Sequence, residues 1–380
     1  MVAIVLVGVI FIGTIVAVPA AISYTNFQVV DQQQLRNTAL NVYNTLLQGT
    51  GTSSQWGSVF PFDENDVTSF GLALSDSLSK YVLDSDKVQR LDPLSPGFLT
   101  YDRVIELLKL QGYGFKFTLF RPFKVDWDIN WDDQSNLNSL VSLDVNTTRM
   151  EDGAPVPNAE VRANIIVTAK NPAKVDDPLF IISGELEKFT DIQGNCKLNK
   201  LVDIPSGYVL ETAMAVMHIT VAGMETVVVA SRDYEAQKWL RMYTFGDTVT
   251  LTFRNESMDL PEGSRKVQKA FGYDLRDLME FYDGDEHGTT STLINHGTSD
   301  YEFWSETFPG LGDINPAMLI FIVKVTGKYH VIAGPYAFSD PAKVFEFGPE
   351  DPTANVLANL RRFVVIDGMT YVTELVLWKD

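Results

Sequence analysis

Basic residues are scarce in this chain, and they are missing where a membrane-directed start would carry them. Thirty Lys and Arg stand against 49 Asp and Glu, for a formal charge of −19. Such a field repels phosphate backbones and anionic lipid surfaces, so nucleic acid is not an expected partner. Cysteine is almost absent as well. Cys196 stands alone, which excludes an intrachain disulfide and leaves the domains to packing, or to packing helped by assembly. The chain has no Gly-rich phosphate loop, no G-x-S-x-G elbow and no paired-cysteine metal motif. Together these absences point away from catalysis and imply no cofactor.

The remaining candidates for chemistry are few. Of the four histidines, His218, His287, His296 and His330, two lie in "DGDEHGTTSTLINHGTSD" beside Asp283, Asp285 and Glu286. Their spacing matches no zinc pattern on a helix or strand face, so the stretch reads as a solvated loop. "DWDINWDD" begins like a calcium loop through Asp126, Asp128 and Asn130, but Trp131 stands where glycine is required and Leu137 where the closing glutamate belongs. Alternation makes it a strand, with acids outward and tryptophans inward. Two sequons, at Asn146 and Asn255, are candidate N-glycosylation sites if the head is extracellular.

What the chain does have is an unusual beginning. "MVAIVLVGVIFIGTIVAVPAAI" is 22 residues without a charge, and no basic residue is met before Arg36. About 20 apolar residues span the hydrocarbon layer of a bilayer, yet the positive flank that orients a signal anchor is missing. Either the segment inserts by unusual rules, or the chain is a processed product whose basic leader has been removed. The apolar run continues into "YTNFQVVDQQQLRNTALNVYNTLLQGTG", where Phe27, Val30, Leu35, Ala39, Val42 and Leu46 recur at helical spacing until Gly49 and Gly51. The pattern predicts one helix of about 45 residues, roughly 70 Å long, kinked near Pro19.

Beyond it, "SDSLSKYVLDSDKVQRL" and "TYDRVIELLKLQGY" read as helices, and "GFKFTLFRPFKVDWDINWDD" as strands. From about Asn146 to Arg232, short β-like runs divided by turn signals suggest a small β-sandwich. Longer strands come after it, up to "LRRFVVIDGMTYVTELVLW". The predicted fold class is α+β. A long N-terminal hydrophobic α-helix (1–48) is followed by a β-rich head (49–145 and 233–380) carrying an inserted Ig-like β-sandwich (146–232).

The run "VAIVLVGVIFIGTIVAVPAAISY", merging into "LNVYNTLLQGTGTSSQWG", resembles the N-terminal region of archaeal type IV pilins and pilin-like proteins. "FGLALSDSLSKYVLDSDKVQRL", "TYDRVIELLKLQGY" and "RRFVVIDGMTYVTELVLW" look like segments of large members of that group. Val5 stands where bacterial pilins carry glutamate, a departure that archaeal members share. "GAPVPNAEVRANI", "TDIQGNCKL" and "IPSGYVLETA" are similar to carboxypeptidase-regulatory-like modules. The resemblance implies a leader removed by a prepilin peptidase, a membrane-inserted precursor, extraction by a pilus assembly platform, and an extracellular filament of copies of the chain. In that filament apolar helices bundle into the core and the heads face outward. Val5, Val9, Ile12, Val16 and Ile22 would pack the core, while Gly8, Gly13 and Pro19 would allow close approach or bending. The alternatives are a membrane-anchored surface binding protein or minor tip pilin using the sandwich for adhesion, and an anchored enzyme acting through His287 and His296.

Overall fold

The computed structural model describes residues 32–75, 81–132, 138–231, 240–254, 265–286, 289–296, 299–314, 316–325, 328–335, 343–349 and 357–379. Its first element is helix α1, residues 32–48, and burial follows the helical spacing. Leu35, Ala39, Val42, Tyr43, Leu46 and Leu47 are buried, while Arg36, Asn41 and Thr45 face solvent. The helix ends where a returning segment takes its last carbonyls. Leu72 N–H donates to the Leu46 carbonyl and Ala73 N–H to that of Gly49, both at 2.9 Å. The two backbones approach so closely that a Cβ on Gly71 would stand 2.1 Å from the Gly49 oxygen, which admits only glycine there.

Two short helices come next, α2 (Ser85–Gln89) and α3 (Tyr101–Leu108), capped by the side chains of Asp84 and Thr100. From there the chain is strand. A first group comprises β1 (Tyr113–Phe120), β2 (Phe123–Asp132), β3 (Asn138–Arg149), β4 (Glu160–Asn171), β5 (Lys174–Ile182), β6 (Leu186–Phe189), β7 (Asn195–Asp203), β8 (Val209–Val221) and β9 (Met224–Ser231). A second comprises β10 (Leu240–Phe245), β11 (Thr248–Arg254), β12 (Arg265–Tyr273), β13 (Leu278–Glu286), β14 (Thr289–His296) and β15 (Ser299–Thr307). After the one-turn helix α4 (Leu311–Ile314) come β16 (Met318–Val325), β17 (Lys328–Gly334), β18 (Lys343–Phe347), β19 (Leu357–Ile366) and β20 (Met369–Lys379).

The architecture is mostly β, which corrects the α+β class expected from the sequence. Among the described residues no helix is long and apolar enough to cross a membrane, and the helices are short beside antiparallel strands that fill several sheets. Residues 1–31, which hold the apolar first part of the expected helix 1–48, lie outside the described residues. One cause of the difference is local. Among the described residues of "SDSLSKYVLDSDKVQRL" the helix is Ser85–Gln89 alone, because Val82 and Leu83 form bridges to Val365 and Ala73, and so short a helix lives on its tertiary contacts.

Five sheets result. The first has the order β18-β1-β20-β19 and carries α1 on one face; it joins the middle of the chain to its last strands. Sheets β2-β3-β7 and β5-β4-β8-β9, with β6 beside β4, close the sandwich over a core that includes Val125, Ile129, Val141, Leu143, Val161 and Met217. The sandwich thus begins at Phe123, and residue 146 falls inside β3, because the acid-rich stretch 123–132 pairs with β3 and turns Val125 and Ile129 inward. The last two sheets, β10-β11-β15-β14 and β13-β12-β16-β17, share a third core around Leu251, Phe308 and Phe321. The histidine-bearing stretch read as a solvated loop is a strand pair instead: His296 ends β14 and pairs with Ser299, while His287 lies outside the described residues.

Candidate functional site

Helix α1 follows the expected assembly segment directly in the sequence. Tyr43 is fully buried, and its hydroxyl donates to the Thr373 carbonyl of β20 at 2.8 Å and meets the Thr373 hydroxyl at 2.5 Å. Burial pushes its pKa up to about 12, so it stays a neutral donor. Arg362 of β19 lies over the same ring at 5.6 Å. One polar anchor inside an apolar contact fixes the helix along its axis and about it, which apolar packing alone does weakly.

Below this seat, the segment around α2 is held by two buried cations. Lys87 is wholly buried and donates through Nζ to the carbonyls of Thr50 (3.0 Å) and Ala73 (2.7 Å), with Asp84 at 3.9 Å. Arg90, also wholly buried, donates to the carbonyls of Gly57, Val59, Pro96 and Gly97. Its guanidinium lies between the rings of Phe245, at 3.5 Å, and Phe62, at 4.4 Å. Burial pulls its pKa down to about 9, which still leaves it protonated at pH 7. Both cations thus satisfy backbone carbonyls in the loop-rich segment around α2 with side-chain donors.

A cleft of about 720 Å³ opens beside α2, lined among others by Ser58, Asp84, Asp86, Thr244, Asp247 and Asp367. Burial, with Asp86 as the next cause, pushes Asp84 up to about 6. Asp86 is raised by burial too, against the pull of Gly246 N–H, which donates to it at 2.9 Å. Gln89 completes the joint to β10: Thr244 N–H donates to its Oε1 at 2.7 Å, and its Nε2 donates to the Thr244 hydroxyl at 3.0 Å. A carboxyl that titrates near pH 6 suits general acid or base work by type. Among the described residues no histidine or cysteine lines the cleft, and no group of three or more His, Cys, Asp or Glu is placed to hold a metal.

The residues singled out from the sequence fare unequally. Val5, Gly8, Val9, Ile12, Gly13, Val16, Pro19 and Ile22, and the sequon residue Asn255, lie outside the described residues. Asn146 sits within β3, where its amide donates to Asn195 Oδ1 at 2.7 Å and toward the Gln193 carbonyl at 3.4 Å. Lys87 and Arg90 carry no sequence signal beyond their type, since charged residues in a loop-rich stretch read as solvated. Buried His218 of β8 stands 3.7 Å from Glu225, away from both the cleft and the helix seat.

No protein-family model matches the sequence, and no curated protein matches it either. A β-glucosidase from Listeria innocua, solved in complex with glucose, is similar over 29% of this chain and 16% of its own, at 9% identity and a TM-score of 0.16. A likeness at that level carries no statement about fold or activity.

Proposed function

We propose that this chain is the repeating subunit of an extracellular type IV-like pilus of archaeal type, assembled through its apolar N-terminal segment with the heads outside. The observation that supports this reading is the seat of α1. The uncharged segment 1–30 is followed at once by a helix whose apolar face is anchored to the head through Tyr43 and Thr373. Force that reaches α1 therefore passes into the sheet β18-β1-β20-β19. Its apolar residues need a nonaqueous host: lipid before assembly, and the equivalent segments of other copies after it.

On this reading Val5, Val9, Ile12, Val16 and Ile22 pack against neighbouring copies, while Gly8, Gly13 and Pro19 permit close approach and bending. A prepilin peptidase and an assembly platform are the implied partners. Val9→Asp places a charge in a dry core and abolishes filaments. Normal filaments from that variant, seen by electron microscopy of sheared cells, would overturn the assignment.

The second reading, an anchored binding protein or tip subunit, draws on an open groove of about 650 Å³ over the three-stranded sheet. It is lined by Asp126, Asp128, Asn146, Phe189, Asn195 and Lys197, among others. Abundance separates the two: a major subunit is recovered as long filaments of nearly one polypeptide, a tip subunit as a trace.

A further inference from the structure

Two exposed sheet edges on this molecule have opposite charge and no described partner. Strand β19 pairs with β20 on one side. On the other, a single parallel bridge from Val365 to Val82 closes its end, and Leu357–Val364 pairs with no described strand. The strand carries Arg361 and Arg362, no acid and no proline. It also presents Phe363 at 59% and Leu357 at 47% exposure. A ten-residue edge with apolar side chains and no lysine or proline to blunt it is a template for another strand.

Strand β13 is the outer strand of a different sheet and pairs only with β12 among the described strands. It carries Glu280, Asp283, Asp285 and Glu286 and no basic residue, and Met279 on it is 40% exposed. Local partners compensate part of each charge. Lys269 reaches Glu280 at 3.1 Å and Asp283 at 3.2 Å. Arg362 is engaged within the chain, by the Tyr81 hydroxyl and over the rings of Tyr43 and Tyr81, so the cation that β19 presents outward is Arg361, which pairs with Glu374 at 2.9 Å while keeping 56% of its side chain exposed.

We propose that β19 of one copy lies along β13 of the next, joining the two sheets edge to edge. In a chain of net charge −19, like surfaces repel, and a basic strand is best satisfied by an acidic strand of another copy. The lengths agree, with eight residues of β19 (357–364) that pair with no described strand on that side and nine on β13. Because the two edges are different parts of one surface, the contact is head-to-tail and propagates instead of closing on a two-fold axis. This deepens the filament reading by naming the contact between heads.

The test uses the full chain in detergent and, where they form, in filaments, with a short bismaleimide crosslinker. The native Cys196 is buried, and its thiol is pushed up to about 11 by burial, so it does not compete. The double variant Phe363→Cys, Met279→Cys gives a ladder of dimers, trimers and higher species. Each single variant alone gives none, and mixing the two singles gives dimers only. Adding Glu280→Lys and Asp283→Lys to the double variant, or raising the salt, removes the ladder. The contact is overturned by an absent ladder, by a ladder indifferent to those charges, or by dimers from Phe363→Cys alone, which would mean β19 against β19. A chain that ladders in detergent but never forms filaments supports the edge contact and counts against the pilus; filaments without a ladder do the reverse.

Discussion

Asp84 shows how one residue couples the cleft to pH. Its carboxyl is raised from 3.8 to about 6 by burial, so the folded state holds the proton more tightly than the unfolded chain does. Below pH 3.8 both states are protonated and the group contributes no difference; above about 6 both are ionised and folding carries the full desolvation cost. Stability is therefore lost as pH rises from about 4 to about 6, by roughly 3 kcal/mol for a shift of about two units. Asp84→Asn keeps a side chain able to cap α2 and removes that dependence. Denaturant unfolding across this window should show the variant gaining on the wild type up to pH 6 and holding the gain above it. A difference that is flat with pH would reject the assignment. Arg90→Met, by contrast, leaves four carbonyls without their donor. It should lower stability by at least about 3 kcal/mol in the same measurement.

At the scale of elements, α1 and the central strands of the sandwich carry different patterns for one physical reason. Helix α1 touches the head along a single stripe, so its apolar residues recur at helical spacing. Leu46→Ala should cost about 2–5 kcal/mol by opening a cavity at the seat, read as a fall in denaturation midpoint, whereas Thr45→Ala on the exposed side should change little. Strands β4, β8 and β9 bury both faces. Met217 and Ile219 of β8 face the sandwich core, while Met214 and Val216 join the main core with Phe271, Met318 and Ile320. Such strands read as continuous apolar runs rather than alternation. "TAMAVMHIT" and "TVVVAS" are legible as strands for that reason, but which face meets which sheet is not. The histidine-bearing stretch reads as loop because its Gly, Asp, Asn and Ser residues are turn signals that outweigh its β-branched Thr, and pairing along β15 decides its form.

At the scale of the molecule, the sandwich is not a free module. Ile166, Met214, Val216, Val227 and Val229 on its five-stranded sheet belong to the same core as α1 and β16. Residues 121–231 expressed alone would expose that face to water, and should self-associate or unfold at lower temperature than the whole chain. Sedimentation and a thermal scan check this; a stable monomeric fragment would argue that the shared core adds nothing. The same sharing explains why the expected boundary at 146 misses the start of the sandwich. The acidic outer face of β2 marks no break in composition, and membership in the sandwich is fixed by the register with β3.

By itself the sequence determined the features that local periodicity and composition control: the apolar stripe of the helix that ends before Gly49, the strand character of "DWDINWD" and of the last two strands, the lack of an intrachain disulfide, and a first thirty residues without charge. Only the tertiary structure decided the mostly-β class, the burial of Lys87 and Arg90 beneath loop carbonyls, the raised carboxyl of Asp84, and the two oppositely charged edges. Periodicity is set by neighbours a few residues apart along one element, whereas desolvation, cation placement and strand edges arise from segments of different elements that the fold brings together.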